Sequence, residues 1–230
     1  MSKLSSTKER LTRKIFILAG AALFFSQPTW CDGNSNSPKS MISEALGMAE
    51  LLEDQKLMYS NDPDELRDCS GIFHRILDGV RNACESLEAP DKTSSRSTRS
   101  IAAWYAENDR LVLVHDAQDQ DHLIEPGTVM FYGEWGKTYR NRLSQSETLS
   151  KIRHMGIVTT VNKDAEGNVQ SYTLFHGRRT GKVASTSYHG RHPRNKKHPS
   201  LGSSDQQWVA TVRLCDVDTD GGADTCSCSP

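Results

Sequence analysis

Residues 151–176 read KIRHMGIVTTVNKDAEGNVQSYTLFH, which is two β-rich runs joined by the turn sequence NKDAEGN. β-branched and aromatic runs on either side of a turn rich in Asn, Asp and Gly predict a β-hairpin. If the turn is centred on Ala165, His154 and His176 lie directly opposite each other, with Cβ atoms about 4.5–5.5 Å apart. The sequence therefore predicts a pair of facing imidazoles, on the condition that no β-bulge shifts the register.

Other β-rich runs surround this hairpin. Residues 208–214, WVATVRL, alternate so that Trp208, Ala210, Val212 and Leu214 share one face of a strand. Further strands are predicted at residues 111–114, 128–132 and 183–188.

Helical spacing of apolar residues comes before the strands. Residues 41–59 and 70–87 each carry one apolar stripe, and residues 101–107 predict a short helix. Helices that come first and an antiparallel sheet that follows indicate an α+β fold. Residues 31–40 are polar with Gly and Pro, and they predict a linker before the domain.

The composition limits the function classes. The chain has 230 residues with 25% charged residues and a net charge of -1. These values argue against a wholly disordered chain and against a generally basic nucleic-acid binder. The apolar run Ile15–Phe25 has eleven residues, whereas a helix that crosses a bilayer needs about 20, so no stable membrane span is predicted.

The N-terminus has the pattern of a targeting segment. Five basic residues and one acid, Glu9, precede the apolar run Ile15–Phe25. A basic head before a short apolar core predicts a secretory signal peptide over residues 1–30, and hence export to the periplasm or the cell exterior. An uncleaved N-terminal anchor and a buried helix are the alternatives, and Cys31 is a candidate for lipidation.

Cys69 lies in the stretch Arg67-Asp68-Cys69-Ser70-Gly71, where the helix over residues 70–87 begins. Unpaired backbone N–H groups and the helix dipole favour negative charge at that end of a helix. This position predicts a lowered thiol pKa and a nucleophilic cysteine. The alternatives are a disulfide cysteine or a small core residue. The histidine pair favours the nucleophile, because a cysteine needs a base and the base needs an orienting partner.

Three segments and one further residue, taken in order, resemble motifs of the NlpC-type cell-wall peptidases. Residues 68–71, DCSG, open a helix as the nucleophile motif of that family does. Residues 126–132, PGTVMFY, resemble its P-G-D-L-V-F-F strand, with Thr128 in place of the usual Asp. Residues 154–158, HMGIV, resemble the H-V-G-I-Y strand that carries the catalytic histidine, and His176 falls where the family places its third polar residue.

Two further segments extend the resemblance. Residues 97–100, STRS, followed by Trp104, are similar to the R-T-S segment after the nucleophile helix. Tyr59 corresponds to the aromatic residue of the loop that leads to the nucleophile. The resemblance covers about residues 41–176 and places the domain at 41–215. The side chains that it implies in substrate binding are Tyr59, Asp68, Ser70 and Trp104.

The resemblance implies a papain-like α+β core and hydrolysis of amide bonds in peptidoglycan stem peptides. Cys69 would be the nucleophile, His154 the base and His176 the residue that orients His154. This scheme requires no metal or cofactor. Alternatives are a CHAP-like amidase that cuts the sugar–peptide amide, a non-catalytic module that binds cell-wall fragments, and a structural protein in which Cys69 forms a disulfide.

The C-terminal third carries two further patterns. Residues 177–200 hold seven Lys and Arg residues without an acid, which predicts a solvated basic loop or a surface that attracts the anionic cell wall. Residues 216–230 form an acidic tail that begins like a calcium loop, but Ser227 stands where such a loop needs a bidentate Glu. We therefore expect a dispensable tail, tied to the body by a disulfide of unknown connectivity.

Overall fold

The structure is a computed structural model that describes residues 38–83, 87–134, 143–192, 199–202 and 206–214. Its helices are α1 (Pro38–Asp54), α2 (Cys69–Ala83), α3 (Thr98–Glu107) and α4 (Gln145–Lys151). The strands are β1 (Val112–Leu113), β2 (Thr128–Glu134), β3 (Ile152–Lys163), β4 (Val169–His176), β5 (Ser185–Gly190) and β6 (Gln206–Arg213). Short 3-10 helices lie at Pro63–Glu65 and Asp121–Leu123.

The strands form one sheet in the order β1-β6-β2-β3-β4-β5, and each neighbouring pair is antiparallel. The three longer helices, α1, α2 and α3, all precede the first strand of this sheet, so the α+β class is confirmed. The strands begin and end within about two residues of the predicted runs, because their alternating burial is visible in the sequence.

The core is divided between the two faces of the sheet. A helix-side core joins α1, α2 and α3 to one face and includes Phe73, Met155 and Phe175. An opposite core covers the other face and includes Tyr132, Tyr172 and other buried side chains such as Trp208 and Leu174. Successive strand residues alternate between these two cores, so a strand position determines which face a side chain occupies.

Strand β6 departs from the predicted alternation. Its pairing with β2 shifts between Phe131 and Tyr132, so Val209 is an additional residue on β6. Trp208 therefore packs in the opposite core, whereas Ala210 packs in the helix-side core. The prediction that Trp208 shares a face with Ala210, Val212 and Leu214 is wrong, because the β-bulge at Val209 reverses the faces on which the residues beyond the bulge lie.

The helix boundaries also differ from prediction. Helix α1 begins at Pro38, so the last three residues of the predicted linker 31–40 are helical. Helix α3 begins at Thr98, where Ser97 and Ser100 form a capping box. The signal peptide at 1–30 and the tail at 216–230 lie outside the described residues. Among the helices that the structure describes, none is long and apolar enough to cross a membrane.

Candidate active site

The two histidines of the hairpin are in contact. His154 Nε2 and His176 Nδ1 are 2.7 Å apart, and the ring centroids are separated by 4.6 Å. Ile157 on β3 pairs with Phe175 on β4, whereas a turn centred on Ala165 would pair Ile157 with Thr173, so the register differs from the prediction by two residues. The prediction of direct opposition is therefore wrong. The contact is diagonal on the same face, and diagonal neighbours are within reach of aromatic rings.

The turn accounts for the two-residue difference, because the two register irregularities in the hairpin, at Val158/Thr160 and at Asn162/Lys163, offset each other. The Asp164 N–H donates to the Asn168 carbonyl, so the hairpin is centred on Glu166 rather than Ala165. The Asp164 carboxylate also accepts hydrogen bonds from the Glu166 and Asn168 backbone N–H groups. A shift of two residues preserves the side-chain period, and both histidines consequently stay on one face.

His176 continues the contact into a polar chain. Its Nε2 lies 2.6 Å from the Ser187 Oγ, and Arg178 donates to the same oxygen. Burial lowers the pKa of His176 to about 2, and the positive charges of His154 and Arg178 add to this shift. His176 is therefore neutral, which suits a residue that orients a neighbouring imidazole without competing for its proton.

The thiol of Cys69 has a raised pKa, which contradicts the sequence prediction. Burial and the charge of Asp68 raise this pKa to about 11, although backbone N–H groups of Ser70, Met155 and Cys69 itself lower it in part. The prediction was wrong because desolvation at the start of α2 exceeds the effect of the helix end. Cys69 is a free thiol, and it needs a base before it can attack a carbonyl.

The Cys69 peptide lies beside the residues that follow the two histidines. A Cβ built on Gly177 would lie 2.7 Å from both the Asp68 carbonyl and the Cys69 backbone nitrogen. The thiol also meets the backbone of Met155. Met155 and Gly177, which follow His154 and His176 in the chain, therefore contact the peptide that carries Cys69. The two imidazoles themselves lie on the sheet face of Tyr132 and Leu174, which is the face of the opposite core, whereas Cys69 packs against the helix-side core.

A charged network holds the loop before Cys69. The Asp68 carboxylate accepts hydrogen bonds from Arg96 Nη1 at 2.9 and 3.1 Å, from the Gly71 N–H at 2.7 Å and from the Ser70 hydroxyl at 3.2 Å. Arg96 Nη1 also donates to Ser70 Oγ. Asp68 thus occupies the start of α2, and Asp68 and Ser70, which the resemblance assigns to substrate binding, here position Cys69.

Tyr59 and Trp104 have different surroundings. Burial raises the pKa of Tyr59, and the nearby charges of Cys69 and Asp68 raise it further, so its phenol lies near the nucleophile. Trp104 packs at the edge of the helix-side core and contacts Tyr105 edge-on at 5.0 Å. Tyr59 therefore lies near Cys69 and Asp68, whereas the described contacts of Trp104 are with the core.

A cavity of about 630 Å³ adjoins the histidine pair. Cys69 is not among the described residues that line it. The lining side chains that matter for the chemistry are His154, His176, Ser187, His189, Arg178 and Arg179. In the part of the chain that the structure describes, no group of three or more His, Cys, Asp or Glu side chains could hold a metal ion.

No family model, curated protein or solved structure matches this chain. The similarity to NlpC-type peptidases therefore depends on the motifs quoted above.

Sequence reasoning missed several residues of the site. Arg96 directly precedes the segment 97–100 that resembles the R-T-S motif, so its position was the available signal. Arg178 lies two residues after His176, so its proximity could have been read from the sequence, whereas nothing in the spacing of Ser187, in the predicted strand 183–188, connects it to His176. The pairing of β5 with β4, in which Leu174 opposes Ser187, brings Ser187 to the histidine pair.

Proposed function

We propose that this protein is a cysteine hydrolase that cleaves amide bonds, with Cys69 as nucleophile, His154 as base and His176 as the orienting residue. The observation that carries the proposal is the 2.7 Å contact between His154 and His176 beside the strand residues that touch the Cys69 peptide. Mixed helices and an antiparallel sheet, with the cysteine at the start of a helix, agree with the papain-like core that the resemblance implies.

The proposed reaction begins with transfer of the thiol proton. His154 Nε2 faces His176, so the proton moves from Cys69 Sγ to His154 Nδ1. The thiolate attacks the amide carbonyl carbon, and N–H groups at the start of α2 stabilise the oxyanion. The imidazolium then protonates the leaving amine as the C–N bond breaks. Water, deprotonated by His154, finally cleaves the thioester and restores the thiol.

The raised thiol pKa defines what His154 must do. A cysteine whose pKa is about 11 is almost wholly protonated at neutral pH, so a stable thiolate does not precede substrate binding. The proton must leave as the carbonyl is attacked, which makes general-base catalysis by His154 indispensable. The Arg96–Asp68–Ser70 network contributes by fixing the start of α2, and thereby the direction from which Cys69 approaches.

Peptidoglycan stem peptides are the substrates that we propose, and an exported protein would meet them outside the cytoplasm. The support is the sequence resemblance and the basic segment 177–200. A CHAP-like amidase would use the same residues on the sugar–peptide amide. A non-catalytic wall-binding module would not need the contact between His154 and His176.

The test is hydrolysis of purified muropeptides, with products identified by mass spectrometry. We expect Cys69→Ala and His154→Ala to abolish product formation, and His176→Asn to retain more activity than His176→Ala. His115→Ala serves as the control, because His115 is an exposed histidine remote from the site residues in sequence. Product formation by Cys69→Ala equal to that of the unaltered protein would refute the proposal.

A further inference from the structure

The cavity beside the histidine pair has a cationic wall. Its volume of about 630 Å³ lies within the range of sites that bind small ligands. None of its described lining residues is Asp or Glu. The charged or polar side chains that line it are those of Arg178, Arg179, His154, His176, His189, Ser187 and Gln206, together with the phenols of Tyr132 and Tyr188.

Arg178 and Arg179 differ from the other arginines near the sheet. Arg96 pairs with Asp68, Arg191 with Asp121 and Arg213 with Glu125. Arg178 instead donates to the neutral Ser187 hydroxyl, and among the described residues neither Arg178 nor Arg179 has a carboxylate partner. Among the described residues, therefore, no carboxylate offsets the charge of the two adjacent guanidinium groups that face this cavity.

The histidines of the cavity wall experience this charge. Burial lowers the pKa of His189, and Arg178 lowers it further. Arg178 also lowers the pKa of His176. His189 Nε2 is buried without a hydrogen-bond partner in the structure. An anion in the cavity would offset the charge of Arg178 at both rings.

We propose that this cavity binds a free carboxylate of the substrate, close to the amide that is cleaved. A guanidinium group presents a planar pair of N–H donors that matches the two oxygens of a carboxylate. This inference rests on the proposed function and deepens it, because it restricts the substrates to peptides with a carboxylate near the scissile bond. His154 lines the cavity, which connects carboxylate binding to the catalytic pair.

Binding can be measured without catalysis. The full chain with Cys69→Ala is titrated by calorimetry with N-acetyl-trialanine and with its C-terminal amide, two probes that differ in one carboxylate. We expect the acid to bind at least about tenfold more tightly than the amide, because hydrogen bonds to charged groups are stronger than neutral ones. Equal affinities, or no binding of the acid, would overturn the proposal. Equally tight binding of inorganic phosphate would overturn the assignment to a peptide carboxylate.

A matched pair of variants separates the cavity from the general charge of the loop. Arg179→Gln should weaken binding of the acid by roughly fivefold and leave the amide unchanged. Lys182→Gln removes one charge from the same loop but lies outside the cavity lining, so it should change neither affinity. Equal losses in both variants would show diffuse attraction instead of a site.

The two proposals can fail independently. Selective binding of the acid by a protein that hydrolyses no muropeptide would preserve the carboxylate site and refute the hydrolase. Hydrolysis at equal kcat/KM for substrates with a free and an amidated carboxylate, together with equal binding of the two probes, would preserve the hydrolase and refute the carboxylate site.

Discussion

Replacement of His176 by Gln should make the protein less sensitive to acid. His176 has its pKa lowered from 6.5 to about 2, chiefly by burial. Between these two values the unfolded chain binds a proton that the native state does not bind, so the native state loses stability as the pH falls below 6.5. The slope is about 1.4 kcal/mol per pH unit, which gives at most about 2.7 kcal/mol between pH 7.5 and pH 4.5.

The acid-induced loss of unfolding free energy should be about 1–2 kcal/mol greater in the unaltered protein than in His176→Gln. This is less than the upper limit because the His176 ring is only half-buried and water screens part of the effect. The assay is urea unfolding of both proteins at pH 7.5 and pH 4.5. His74 and His189 also have lowered pKa values, but their contributions are common to both proteins and cancel in the comparison. Equal acid-induced losses in the two proteins would show that His176 accepts a proton in the native state near its ordinary pKa, and the argument from burial would be refuted.

Three further changes test the geometry of the site. Gly177→Ala should lower the unfolding free energy by about 1–3 kcal/mol and the rate of hydrolysis at least tenfold, because the added Cβ would lie 2.7 Å from the Cys69 backbone. Gly47→Ala is the control, because Gly47 has open space around it in a helix and its substitution should not destabilise the protein. Ser187→Ala should lower kcat by about tenfold with little change in KM, because His176 Nε2 loses its partner, and a rise in KM alone would count against this role. In His154→Ala, the rate of Cys69 alkylation should rise about tenfold per pH unit up to about pH 10, because the thiolate is the reactive form and the pKa of the thiol is about 11. A plateau of the rate below about pH 8 would contradict that pKa.

The sequence predicted the sheet well because its strands alternate between two buried faces. Residues 169–176 form β4 as predicted. Helix α4 was missed because Gln145–Lys151 has no apolar stripe and buries only Thr148. Its capping box, Ser144 with Glu147, was the available signal.

The site was predicted less completely than the fold. The contact between His154 and His176 follows from the hairpin, since a register error of two residues leaves both rings on one face. The thiol pKa of Cys69 could not be predicted, because the sequence does not report how much water the start of α2 excludes. The ion pair between Arg96 and Asp68 spans 28 residues, and no local pattern connects them.

The position of β6 within the sheet has a consequence for biosynthesis. It is the last strand along the described chain, yet it lies between β1 and β2. The sheet cannot close until residues 206–213 have left the ribosome, and such non-local pairing is slow. The nascent chain therefore cannot complete this sheet during most of its synthesis. If residues 1–30 act as a signal peptide, this delay keeps the chain in the state in which an export channel can thread it.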